Sequence, residues 1–173
     1  MATKKSMFVL LGILVISSFV LGSSMQAGAE TLKFKVYGYE TKGESVPVDD
    51  VEGHILIFST RRSFCILENG EVATQIAVMF SDFIKQSGLT ISYQTITFAD
   101  GSTIITKTQG SVGGTVAGLS ATKGIREIIK GTGRFEGIKG TGTGASKFFQ
   151  IEKDEVTPKS IGELILTYTL PPK

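Results

Sequence analysis

The residues whose types suit them to chemistry are few. In "GIREIIK", Arg126 and Glu127 stand side by side among isoleucines, a cation and a carboxylate in an otherwise apolar run. Successive residues of a β-strand point to opposite faces, so one of the two faces any interior that the strand lines. If Ile125 and Ile129 point inward, Glu127 is an inward carboxylate; if Ile128 points inward, Arg126 takes its place. Tyr93 shares parity with Leu89 and Ile91, where its hydroxyl would orient a ligand at the end of an apolar wall. Lys107 and Gln109 share parity with Ile105, and the sequence does not decide which way they face. Tyr93, Arg126 and Glu127 are therefore the candidate ligand-binding residues, and no catalytic residue is assigned.

Other chemistries are poorly supplied. His54 is the single histidine, which rules out a metal site built on several histidines of this chain. Asp49, Asp50 and Glu52 in "VDDVE" read as a solvated acidic loop rather than a Ca²⁺ cage. Cys65 is alone, so no intrachain disulfide forms, and "RSFCILE" reads as a strand that buries it. No metal and no cofactor are expected.

The run "GTGRFEGIKGTGTGA" (131–145) carries six glycines and has three possible readings. Its spacing, Gly131, Gly133, Gly137, is not the G-x-G-x-x-G of a dinucleotide loop, and the residues after Gly137 are too rich in Gly and Thr to start a helix. A flexible linker would not hold Phe135 and Ile138. A strand reading fits: Gly140, Gly142 and Gly144 share one face, where absent side chains let a sheet bend or a bulky neighbour come close.

The elements that must position these residues are strands. "TLKFKVYGY" alternates, a polar loop "ETKGESVPVDDVEG" comes next, and "HILIFST" and "SFCILE" read as the second and third strands. Asn69-Gly70 and Asp100-Gly101 mark tight hairpins. Residues 75–88 are ambiguous between a strand with a turn and a helical segment, with the strand favoured. "GGTVAGLSATKG" is a weak strand or a loop. "IREIIKGTG", "GIKGTGTGASKFF" and "GELILTYTL" complete the set, and Pro171 and Pro172 end it. About eight strands joined by short turns give an all-β fold, a single eight-stranded antiparallel β-barrel without free edges.

The chain opens with Lys4, Lys5, an uncharged apolar stretch from Met7 to Gly22, and "AGA" at 27–29, the pattern of a cleaved signal peptide. The expected division is a signal peptide over 1–29 and a barrel domain over 30–173, exported to the periplasm or secreted, with no stable membrane anchor after cleavage. Without Lys4 and Lys5 the 18 basic residues become 16, matching the 16 acidic ones. A neutral domain without a basic face excludes nucleic acid as a partner.

The stretches "TITFADGSTIITKTQGSV", "IREIIKGTGRFEGIKGTGTG" and "LILTYTL" together resemble the allene oxide cyclase and dirigent protein barrel family, including its small exported bacterial relatives. The resemblance covers Leu89–Leu170 well and Thr31–Gly88 loosely, and it rests on the "GTG-x-F-x-G-x-x-G" hairpin after a strand ending in "DG". It implies an eight-stranded antiparallel barrel, often oligomeric, with a hydrophobic small molecule in its lumen. In the plant members it implies cofactor-free steering of cyclisation or coupling. The lumen residues of the family do not match position by position here, so the fold carries over and the activity does not. The first expectation is a binding barrel for a small hydrophobic or aromatic ligand, with cofactor-free isomerase or cyclase activity as an open extension. The alternative is a non-catalytic structural or assembly protein that forms homo-oligomers through its outer face, where two-sided apolar strands such as "HILIF" would be covered.

Overall fold

The computed structural model describes residues 28–116, 119–149 and 159–172, without the side chains of 114–121. The expected signal peptide therefore lies almost wholly outside the described residues. Eight strands run in chain order: β1 (Glu30–Pro47), β2 (His54–Leu67), β3 (Val72–Ile84), β4 (Ser87–Phe98), β5 (Thr103–Val116), β6 (Leu119–Thr132), β7 (Lys139–Phe148) and β8 (Lys159–Thr169). Each pairs antiparallel with the next, and β1 closes on β8, with Thr31 opposite Thr167. The eight-stranded closed barrel expected from the sequence is the observed fold, and closure leaves no unpaired edge.

Boundaries differ from expectation in ways the barrel explains. β1 does not end at Tyr39 but runs through the polar stretch to Pro47, because β2 pairs with it from Phe34 to Pro47, past a register shift between Glu40 and Lys42. "HILIFST" and "SFCILE" are one strand, in which Arg61 and Arg62 interrupt the apolar pattern but not the ladder. Residues 75–84 are strand, and a two-residue turn at Lys85 and Gln86 leads into β4. The weak segment 113–124 is mostly strand, shared between β5 and β6.

The two glycine hairpins use one geometry. Leu67 and Glu71 close the first, Phe98 and Ser102 the second, and in each the glycine N–H donates to the residue that opens the loop. Only Gly70 and Gly101 are left-handed there, with φ of 84° and 82°. This is the three-residue loop that ends in a glycine bulge, rather than a mirror-image two-residue turn.

One end of the barrel is plugged. Phe34, Cys65, Leu67, Ile96, Phe98, Ile104, Leu164 and Leu166 fill it from the strands. Phe135, from a 3₁₀ turn at Gly133–Phe135, tucks beneath the loop as its position in the glycine run suggested, 4.8 Å from the Phe98 ring. Arg134 locks this end from outside: its guanidinium sits 4.6 Å over Phe98 and 5.0 Å over Phe135, and it pairs with Glu71 at 2.5 Å and Asp100 at 3.5 Å. One side chain thus ties together the loops after β2, β4 and β6.

Candidate functional site

Beyond the plug the inward-facing residues change character. Along the interior parity the strands supply Arg61, Gln75, Ala77, Thr90, Ser92, Gln94, Thr106, Thr108, Gly124, Arg126 and Gly144, which are small or polar. The outward parity carries large apolar groups instead, with Leu89 and Ile125 69% and 68% exposed. Over this stretch the usual pattern of apolar inside and polar outside is reversed.

That reversal corrects two of the three candidate residues. Tyr93 and Glu127 are on the outer face: Tyr93 is 52% exposed beside Leu89 and Ile91, and Glu127 sits between exposed Ile125 and Ile129. Their inward placement requires that their apolar neighbours point inward, and those neighbours point out. Arg126 does point inward, in line with buried Ile128. A bulge keeps this possible, since Ile105 and Thr106 face Lys130 and Ile128 and leave Ile129 as the extra residue. Lys107 stands across from Tyr93 on the outside, its Nζ 6.0 Å from the ring centroid.

Arg126 is the centre of a polar chamber. Its Nη1 donates to Oε1 of Gln94, which also accepts from Nε2 of Gln75 at 2.8 Å, while Nε2 of Gln94 donates to Ser92 at 2.9 Å. Its Nε is buried and has no partner. Burial lowers the Arg126 pKa to about 10, with the neighbouring Cys65 opposing in part, so the group remains a cation at neutral pH. On the paired strand β5, Thr108 lies directly opposite Arg126 and Thr106 opposite Ile128, and both threonine hydroxyls are also buried without partners. Three orphaned polar atoms thus lie along the β5–β6 wall, an arrangement that normally costs about 1–3 kcal/mol for each group.

Arg61 enters from β2, the opposite wall of the barrel. Its Nη2 donates to Oγ of Ser160 at 2.8 Å and its guanidinium lies 4.4 Å over the Phe148 ring. Burial lowers its pKa, and Glu40 opposes that from a distance. Neither arginine has an ion-pair partner among the described residues. The two share a chamber of about 90 Å³ with Gln75, Ser92, Gln94 and Thr108. Arg61, Met79 and Phe148 also line a second cavity of about 300 Å³ toward the end away from the plug, walled by Ile55, Ile57, Phe83 and Val112.

The glycine stripe serves this chamber. Gly140, Gly142 and Gly144 line the inner face of β7, where a Cβ on Gly142 would stand 2.6 Å from Cδ2 of Leu166. A Cβ on Gly144 would stand 3.1 Å from both Nε and Nη2 of Arg126. Gly110, Gly124 and Gly144 are in register across β5, β6 and β7, which thins the wall beside the guanidinium.

Cys65 is fully buried as expected, and burial raises its thiol to about 12, which keeps it protonated. His54 bridges two aspartates near the end away from the plug, with Nδ1 2.5 Å from Asp50 Oδ1 and Nε2 2.9 Å from Asp82 Oδ1. No group of three metal-ligating side chains is assembled among the described residues.

Sequence reasoning missed Arg61, Gln75 and Gln94. The signal was there: Arg61 shares parity with Cys65 and Leu67, Gln75 with Ala73 and Ala77, and Gln94 with Ile96 and Phe98.

Fold and interior together define a small closed antiparallel β-barrel with an apolar plug and a cationic polar chamber. Among solved structures it is similar to the pterocarpan synthase dirigent protein GePTS1, with 12% identity and a TM-score of 0.48 over 84% of this chain and 93% of that one. It is also similar to the pterocarpan synthase dirigent protein PsPTS1, with 13% identity and a TM-score of 0.45 over 84% and 97%. No family model and no curated protein matches the chain.

Proposed function

We propose that the barrel binds a small hydrophobic or aromatic molecule in its interior, as an exported protein. The observation that carries this reading is the cavity of about 300 Å³ beside the polar chamber, where Ile55, Ile57, Met79, Phe83, Val112 and Phe148 form apolar wall and Glu40, Ser59, Arg61, Ser81 and Gln86 supply polar groups. Apolar walls around an unfilled space, with a few polar groups converging at one side, are the usual form of a small-molecule site. A barrel built only for stability would fill that space with side chains, since interiors pack at crystal density.

Catalysis, if the bound molecule reacts, would rest on Arg126 holding negative charge that develops in a water-poor chamber. The one carboxylate among the described residues around that chamber is Glu163, which is exposed. Native mass spectrometry of protein purified from its own host tests the binding reading by revealing a co-purified small molecule. A clean apo mass, together with no melting shift across a panel of hydrophobic compounds, would refute it.

A second reading has its own support, a non-catalytic assembly role through the outer face. Phe58 and Phe80 stack at 5.0 Å on the outside, Ile91 lies across from Phe80, and Val78 is paired with Tyr93. This continuous apolar patch over β2–β4 is what a second copy of the chain would cover. Sedimentation of the wild type against Val78→Lys distinguishes the cases: a monomer in both removes this reading.

A further inference from the structure

We infer that the ligand of this barrel carries a single negative charge, a carboxylate or a group of like shape, whose head binds in the polar chamber between Arg126 and Arg61. The inference rests on the proposed interior binding and names the class of molecule. Two guanidiniums approach one small chamber from opposite walls, and neither forms an ion pair with a described acid. Glu163 is among the residues around the chamber but is exposed, and Glu40 lines the other cavity beside Arg61 without an ion pair to it. A buried charge left uncompensated is costly, so a site that holds one open is matched to a counter-charge that arrives with the ligand.

The orphaned donors give the site its shape. An ionised carboxylate accepts at two oxygens with about four lone-pair directions. Among the described residues, Nε of Arg126, Oγ1 of Thr106 and Oγ1 of Thr108 are the buried side-chain polar atoms without partners, and cross-strand pairing places them on one wall. A head bound in the chamber meets Nε of Arg126 and Oγ1 of Thr108, which face each other across β5 and β6, while Thr106 lies one pair further toward the plug. The chamber of about 90 Å³ holds a carboxylate and little else, so the rest of the molecule extends past Arg61 and Phe148 into the apolar cavity. A slender amphiphile fits, whereas a neutral hydrocarbon would leave Nε of Arg126 and Oγ1 of Thr108 unmet.

The test is isothermal titration of the full barrel domain with octanoate and with 1-octanol, in a buffer free of competing organic anions. The two probes share a chain and differ in the head. Octanoate is expected to bind at least ~10-fold more tightly, the size of one charge-assisted hydrogen bond. Equal affinities overturn the anion assignment and leave the interior-binding reading intact. No binding of either probe removes both. Arg126→Gln is expected to abolish the octanoate preference while retaining octanol affinity, and a retained preference in that variant counts against the site. Because the wild-type pair decides by itself, the test survives a variant that fails to fold.

Discussion

The guanidinium of Arg126 lies against the bare backbone of Gly144, where a Cβ would stand 3.1 Å from both Nε and Nη2. Gly142, two residues earlier on the same face, is crowded instead by Leu166 Cδ2 at 2.6 Å and by the Ile165 carbonyl. Neighbouring glycines therefore fail differently. Gly144→Ala meets the end of a flexible side chain, so the barrel should lose no more than about 1 kcal/mol while Arg126 is displaced. Gly142→Val meets backbone and a buried leucine, and should cost about 3 kcal/mol or more. Urea denaturation of the two variants checks this, and equal losses would show that the stripe has a single role.

The turn between β3 and β4 is held by two non-glycine residues in the left-handed region, Lys85 at φ 49° and Gln86 at φ 68°. Each carries a steric penalty that Asn or Gly avoids. The double change Lys85→Asn, Gln86→Gly should raise stability by about 0.5–1 kcal/mol after the entropy of the added glycine is allowed for. Thermal melting reads the gain. An unchanged or lower midpoint would mean that the lysine and glutamine stems contribute packing equal to the strain.

Arg134 acts by stacking as well as by charge, since it covers Phe98 and Phe135 while pairing with Glu71 and Asp100. Arg134→Lys keeps the charge and loses the planar face. It should cost about 1 kcal/mol, from two cation–π contacts of about 0.5–1 kcal/mol each that lysine makes less well. Hydrogen exchange should speed up in the loops after β2, β4 and β6 together. Faster exchange confined to residues 133–135 would show that the arginine does not couple them.

The fold was legible because hairpin signals and period-two alternation survive almost anywhere in this chain. Asn69-Gly70 and Asp100-Gly101 mark two turns by the need for a left-handed glycine, and the stripe from Gly140 to Gly144 announces a bent strand. The candidate site was half legible. Arg126 stands out because a one-residue alternation forces either it or Glu127 inward. Tyr93 and Glu127 go the other way because the outer wall of β4 and β6 carries Leu89, Ile91, Ile125 and Ile129, while the inner wall carries Thr90, Ser92, Gln94 and Gly124. Hydrophobicity points to the core only where the core is apolar, and here that fails across the polar middle of the barrel. Arg61 reads as a break in a strand until Cys65 and Leu67 are seen to share its face.

Stability should depend on pH through one histidine bridge. His54 lies between Asp50, in the loop after β1, and Asp82 on β3, with its ring largely covered and both carboxylates more than half exposed. The nearby Asp49 and Glu52 are exposed in the same loop, and Lys85 packs beside Gly53. A protonated imidazole donates to both aspartates, whereas a neutral one donates to one and turns a lone pair toward the other. The bond from Asp50 and then the bond from Asp82 raise the His54 pKa above its usual 6.5, against some loss of hydration. His54 lowers Asp50 below 3.8 in return. A raised base stabilises the fold fully below its unfolded value, and the benefit fades as pH climbs through the folded one. The lowered acid stabilises above 3.8 and loses its share as pH falls through its own folded value. The bridge is therefore strongest between about 3.8 and 6.5, and the melting temperature should decline on the alkaline side of that window. His54→Gln should flatten the decline, and the imidazole carbon shifts of this single histidine, followed by NMR, should titrate above 6.5. A midpoint at or below about 6.5 would mean that the bridge does not hold the loop to β3 in solution.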